Sequence, residues 1–306
     1  MACDPGCQGE SGVTRKPCGK MLRRLKVLFH YFKADAAARR GNFDRAAGQL
    51  SKVIQIAPSN AAAYNDRGVA RQGMGNYRGA IDDFNKALAI DRLMVQAYGG
   101  RGISRKLLGD FDLAIADHTE AISIDPNLAN AHGELGVAHL CKHDFHNAIR
   151  SLTTAINLAP NDPSHLQQRG IALFCRGDFK AAIADLQRAF DISNDIYALL
   201  FLHLSRVKAG ANAGTALETD AGRVRTWQWP SAVVGLFLER LSADSTIAAA
   251  STSDEVAEAH FYLGQWHLLH GDRAEARKAL QAAAQSCPPW FTEHTAATAE
   301  LSRLDQ

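Results

Sequence analysis

The sequence predicts an all-α fold, a superhelical solenoid of antiparallel helix pairs, and three observations predict it. The chain of 306 residues falls into register every thirty-four residues, without insertion, when units start at Val27, Ala61, Val95, Ala129 and Pro163, and a sixth unit restarts at Ala257. Small residues hold fixed columns in those units. Glycine and proline stops recur at the same two places. A period of this length is the mark of a helical repeat array.

Residues 1–20 read as a polar, disordered tail carrying Cys3, Cys7 and Cys18. The basic run from Lys20 to Lys26 is followed by the apolar run from Val27 to Phe32. That apolar run is too short for a secretory signal and ends at Lys33 and Asp35.

Residues 21–194 hold five units, with helix pairs predicted over 27–58, 61–92, 95–126, 129–160 and 163–194. The eighth position of each unit reads Ala34, Gly68, Gly102, Gly136 and Gly170; the twentieth reads Ala46, Ala80, Ala114, Ala148 and Ala182. Two antiparallel helices bury their faces against each other only where small residues let the backbones approach. The twenty-fourth position carries the filler, as Leu50, Phe84, Leu152 and Leu186. Between the helices Gly75-Asn76-Tyr77, Gly109-Asp110-Phe111 and Gly177-Asp178-Phe179 read as turns in which glycine takes the left-handed conformation. Ala57-Pro58, Asp125-Pro126 and Ala159-Pro160 end the second helices, since proline cannot continue a helix interior.

Arginine and aspartate come and go together in this array. Arg67, Arg101 and Arg169 at position seven accompany Asp83, Asp117 and Asp185 at position twenty-three. Where position seven is Leu135 or Leu263, position twenty-three is Ser151 or Ala279. The covariation predicts structural ion pairs between the two helices of a unit.

The period breaks over residues 195–256. Tyr197 to Ala209 still reads as a helix, with Leu204 where a small residue belongs. Gly210, Gly214 and Gly222, the run from Arg225 to Pro230 with Trp227 and Trp229, and apolar stretches at 233–241 and 246–250 follow. A degenerate helical insert is the expectation. Residues 257–306 then supply a sixth unit, with a helix pair at 257–288, and a capping helix from Phe291 to Leu304 that shields the last repeat.

These columns resemble the tetratricopeptide-repeat (TPR) family over residues 27–194 and 257–290. The resemblance implies a scaffold or adaptor that binds a peptide or protein partner along a concave wall. Carried onto this chain, that wall consists of Asn65, Val69, Gln72, Ile103, Lys106, Val137, Leu140, Gln167, Ile171 and Phe174. An apolar ridge at position nine suits an extended or helical segment. The same positions also suit packing between neighbouring units, and exposure decides between the two. The C-terminal third, with Ala259 to Gly264, Gly271 to Ala274 and Ser286-Cys287-Pro288, resembles envelope TPR lipoproteins of Gram-negative bacteria. That likeness implies an alternative role, regulation of a peptidoglycan hydrolase or protease.

Composition excludes several classes. Thirty-four basic against thirty-two acidic side chains give a net charge of +2, too little for a nucleic-acid footprint. No stretch approaches a membrane span of eighteen apolar residues. Scattered Cys141, Cys175 and Cys287 suit a reduced compartment, so the cytoplasm is expected, with the periplasm as the alternative if the start residue is mis-assigned. No phosphate loop, nucleophile elbow or zinc-helix motif occurs, so neither an enzyme nor a cofactor is expected. His139 and His143, four apart with Cys141 and His146 nearby, have the spacing of metal ligands on one helical face. Core packing explains the histidines better, because His132, His139, His260 and His267 occupy columns of packing aromatics, and no metal site is expected. Pairing of two copies stays open.

Overall fold

The computed structural model describes residues 19–224 and 228–306, and among them every regular element is a helix. Cys3, Cys7, Cys18 and Trp227 lie outside the described residues. The helices group into two compact units, one ending at Arg92 and one starting at Leu93.

The first unit holds α1 (Gly19–Ala38), α2 (Phe43–Ile56), α3 (Ala61–Gly73) and α4 (Tyr77–Ile90). Asparagine sets three of the four starts. The side chains of Asn42, Asn60 and Asn76 accept from the N–H groups of Arg45, Ala63 and Gly79 at 3.0, 3.1 and 3.0 Å, satisfying donors the helix leaves open. The small columns are close approaches in fact. A Cβ on Gly68 would stand 2.7 Å from the Phe84 ring. α1 departs from expectation: it begins eight residues ahead of Val27.

The second unit runs α5 (Val95–Leu107), α6 (Phe111–Ile124), α7 (Ala129–Cys141), α8 (Phe145–Leu158), α9 (Pro163–Arg176) and α10 (Phe179–Ser193), stacked pair on pair. The eighth-position rule holds here too, for a Cβ on Gly136 or Gly170 would stand 2.6 or 2.5 Å from Leu152 or Leu186. The turn glycines Gly109 and Gly177 have φ of +84° and +96°. In the fourth repeat His143 occupies that same turn position at φ +60°.

The insert begins with α11 (Ile196–Lys208), which continues the stack as the first helix of a further pair against α10. It is buried almost all round, from Ala198 through Ser205. Its Phe201 ring lies 5.5 Å from that of Phe174 and 5.8 Å from that of Phe261, which explains a helix apolar on every side. Three short helices follow: α12 (Gly214–Ala221), α13 (Ser231–Phe237) and α14 (Ala243–Ala248). The last repeat is α15 (Ser253–Leu269) with α16 (Arg273–Ser286), and α17 (Thr292–Leu304) ends the chain. α15 starts four residues before Ala257 because Thr252 and Glu255 form a reciprocal capping box.

Candidate functional site

The first unit carries an open cleft between α1, α2 and α3, with a volume of about 310 Å³. Ala34, Phe43, Ala46, Leu50, Val69 and Ala70 give it an apolar lining, and Tyr31, Asp35 and Asp66 bring the polar groups. Val69 is 49% exposed although it is a β-branched aliphatic. Burial and the neighbouring Asp66 push the Tyr31 hydroxyl up to about 12, so it stays a neutral donor, reaching Asn60 Oδ1 at 3.3 Å. Burial also raises the Asp66 carboxyl, which accepts from Asn65 Nδ2 at 3.2 Å. Gln72, one turn beyond Val69, is half-buried.

In the second unit the expected wall divides. Ile103 and Val137 are half-buried, and Lys106 Nζ sits 2.7 Å from Glu134 Oε2 across neighbouring first helices. Gln167 donates to Asp195 at 3.3 Å. Leu140 and Ile171 are each only 1% exposed and Phe174 is wholly enclosed, so these three are core and not an open wall.

The chain's own later helices supply part of that enclosure, α11 through Phe201 against Phe174 and α17 from the C-terminal end. α17 packs against α9 and touches α7, the first helices of repeats five and four. The Arg303 guanidinium donates to the Phe174 carbonyl at 2.8 Å and to that of Cys175, and it lies over the Phe179 ring at 5.5 Å. Glu300, itself buried, bonds Lys208 Nζ at 2.8 Å and pairs with Arg303. The expected cap therefore covers part of the first helices of repeats four and five as well as the last repeat.

Two carboxyls sit beneath that closure. Glu293 on α17 accepts from the Tyr262 hydroxyl at 3.0 Å, and Glu258 on α15 accepts from Tyr197 and from Trp229 Nε1 at 3.0 and 2.8 Å. Burial first, then the charge of Glu258, pushes the Glu293 carboxyl up to about 7. Nothing in the repeat period marked Glu293, since α17 lies outside it, and Glu258 sits at position two of the sixth unit with its partners Tyr197 and Trp229 in the insert.

All three arginine–aspartate relationships exist as direct contacts. Arg67 Nη2 lies 2.6 Å from Asp83, Arg101 Nη2 2.6 Å from Asp117, and Arg169 Nε 2.6 Å from Asp185. Arg71 and Arg105 add a second guanidinium to Asp83 and Asp117, each at 2.7 Å. Sequence reading missed these, although both occupy position eleven of their units.

The metal spacing dissolves in three dimensions. α7 ends at Cys141, so His143 lies in the turn and shares no helical face with His139, whose Nδ1 sits 3.1 Å from Asp144. Among the described residues no group of histidine, cysteine and carboxylate side chains is placed to hold a metal ion. Burial pushes the Cys141 thiol up to about 11 and those of Cys175 and Cys287 up to about 12, leaving them unreactive. No described helix is long and apolar enough to cross a membrane.

Sequence models of the tetratricopeptide repeat match residues 22–61, 61–92 and 257–290. Among solved structures, the anaphase-promoting-complex hetero-tetramer Cut9–Hcn1 is similar at a TM-score of 0.58 and 17% identity, over 89% of this chain and 48% of that one. PilF of Pseudomonas aeruginosa is similar at a TM-score of 0.55 and 20% identity, over 64% of this chain and 92% of that one. MamA of Desulfovibrio magneticus RS-1 is similar at 0.51 and 20% identity, over 55% of this chain and 96% of that one. These likenesses are to the fold.

Proposed function

We propose, on the premise that this chain is a tetratricopeptide-repeat protein, that it is a non-enzymatic scaffold holding a peptide segment of a protein partner in the cleft of its first two repeats. The observation that carries the reading is the exposed Val69 set in a cleft of about 310 Å³ with an apolar lining. Folding alone gives no reason to leave such a lining open to water. The volume suits one or two apolar side chains of an extended or helical segment. Asp66 brings a carboxyl to the lining, Asp35 being already paired with Arg39, so a lysine or arginine beside the apolar anchor complements it.

Within the second unit, Ile103, Val137 and Lys106 keep partial exposure and are the remaining candidates for contact. Leu140, Ile171 and Phe174 are not among them. The test is selection of a displayed peptide library on the full chain. Enriched peptides should share an apolar residue next to a cation, and Val69→Asp should abolish their binding while helical content and melting temperature hold. Enrichment that is indifferent to Val69→Asp would refute the assignment.

A further inference from the structure

α1 is 20 residues long, whereas the first helices of the next three repeats, α3, α5 and α7, are 13 each. The excess lies at its N-terminal end, ahead of Val27, where the repeat needs no helix. Those added turns extend an apolar face. Met21, Leu25, Leu28, Phe29 and Phe32 follow the spacing i, i+4, i+7, i+8, i+11, which puts them on one side of a helix, with Leu22 at its margin. All six are exposed, Leu28 at 64% and Phe32 at 74%. The opposite side, with Ala34 and Ala37, is the one buried against the repeat.

Cations flank the exposed face. Lys26 and Lys33 project along one margin and Arg24 along the other, and Lys33 Nζ sits 4.3 Å from the centre of the Phe29 ring. Arg23 is turned away to the α2 end, donating to the Ile56 carbonyl at 2.7 Å. The helix has one acidic residue, Asp35, and Arg39 neutralises it at 3.0 Å. An apolar face bordered by lysine and arginine complements a surface that is oily within and anionic at its edge.

We infer that this face of α1 docks on an anionic lipid surface, lying in the interface with Leu28 and Phe32 among the acyl chains. Two other occupants fit the chemistry less well. A second copy of the chain would bring Arg24, Lys26 and Lys33 against their own equivalents around the apolar contact. The eighteen residues preceding Gly19 offer Met1 and Val13 as their only large aliphatic side chains, too few to cover six.

The experiment is co-sedimentation of the full chain with vesicles of phosphatidylcholine, alone or mixed with phosphatidylglycerol. Binding should require the anionic lipid and fall as salt is raised. Lys26→Gln with Lys33→Gln should weaken it roughly thirtyfold, since each cation near an anionic surface contributes about fivefold. Leu28→Ser with Phe32→Ser should weaken it at least tenfold, while leaving the cleft around Val69 untouched, since neither residue lines it. Equal binding to both vesicle types, or binding to neither, overturns the inference, and that comparison needs no variant. A native dimer that Leu28→Ser with Phe32→Ser dissociates, without any vesicle binding, assigns the face to a second copy and overturns it equally.

Discussion

Arg67 and Asp83 meet in a two-pronged contact across the helices of one repeat, Nη2 to Oδ1 at 2.6 Å and Nε to Oδ2 at 2.9 Å. The arginine's remaining nitrogen donates to Ser51 Oγ at 3.0 Å, on the preceding repeat's second helix. One side chain thus ties its own helix pair together and fastens that pair to its neighbour. Arg169 repeats the arrangement with Asp185 and Thr153 Oγ1.

Because the Asp83 side chain is 3% exposed, removing only one partner leaves a buried charge without its counterion. Arg67→Leu should therefore cost about 1–3 kcal/mol, softened by Arg71, which still reaches the carboxylate. The double change Arg67→Leu with Asp83→Ser recreates the Leu135–Ser151 combination that the fourth repeat uses, and should restore most of the loss. Urea unfolding of the two single variants and the double variant measures the coupling. Additive losses would mean that the two side chains do not act together.

His143 gives a second, opposite expectation. It takes φ +60° at a turn position that is glycine in five other repeats: Gly41, Gly75, Gly109, Gly177 and Gly271. A side chain in the left-handed region costs roughly 1–2 kcal/mol, and histidine pays somewhat less than a branched residue. His143→Gly should raise stability by about 1 kcal/mol, less whatever its edge contact with Phe145 contributes. An unchanged or lowered melting temperature would show that contact to outweigh the strain.

Most of the repeat array was legible because each repeat buries its own columns. Gly136 can be small only if Leu152 is large, and both lie within one unit of sequence. Arg67 and Asp83 were legible for the same reason. The fate of the wall was not. Ile171 and Phe174 fit the position-nine and position-twelve pattern as well as Val69 and Gln72 do, but α11 and α17, which pack on their helix, lie outside the thirty-four-residue register. A local period carries no information about a distant helix that returns. Likewise α1 could be placed from Val27 onward by its columns, while its start at Gly19 obeys no repeat.

Ile171 and Val69 should consequently behave as opposites despite sharing a column. Ile171 is 1% exposed in the main apolar cluster, so Ile171→Ala should cost about 2–5 kcal/mol, as for other deletions that leave a cavity. Val69, half in water, should lose less than about 0.5 kcal/mol on the same change. Thermal and urea melts of both variants decide it. Similar losses would put Val69 in the core and close the cleft as a binding site.

The pH response isolates the closure by α17. Glu293 has its carboxyl raised from the ordinary 4.5 to about 7, chiefly by burial, with Glu258 adding like charge. A carboxyl raised in the folded state holds its proton more tightly there than in the unfolded chain. Its contribution is therefore favourable below about 4.5, declines as pH rises through about 7, and is a full penalty above that. Glu293→Gln keeps an oxygen to accept from Tyr262 and removes the titration. The stability difference between variant and native protein should then grow from acid to alkaline pH, reaching about 3 kcal/mol by pH 8. His118 and His203, lowered by burial to about 4, pull the other way, losing stability as pH falls below 6.5. They act equally in both proteins, so the difference curve is free of them. Parallel curves across this range would mean that Glu293 is ionised in the fold, with water reaching it past α17.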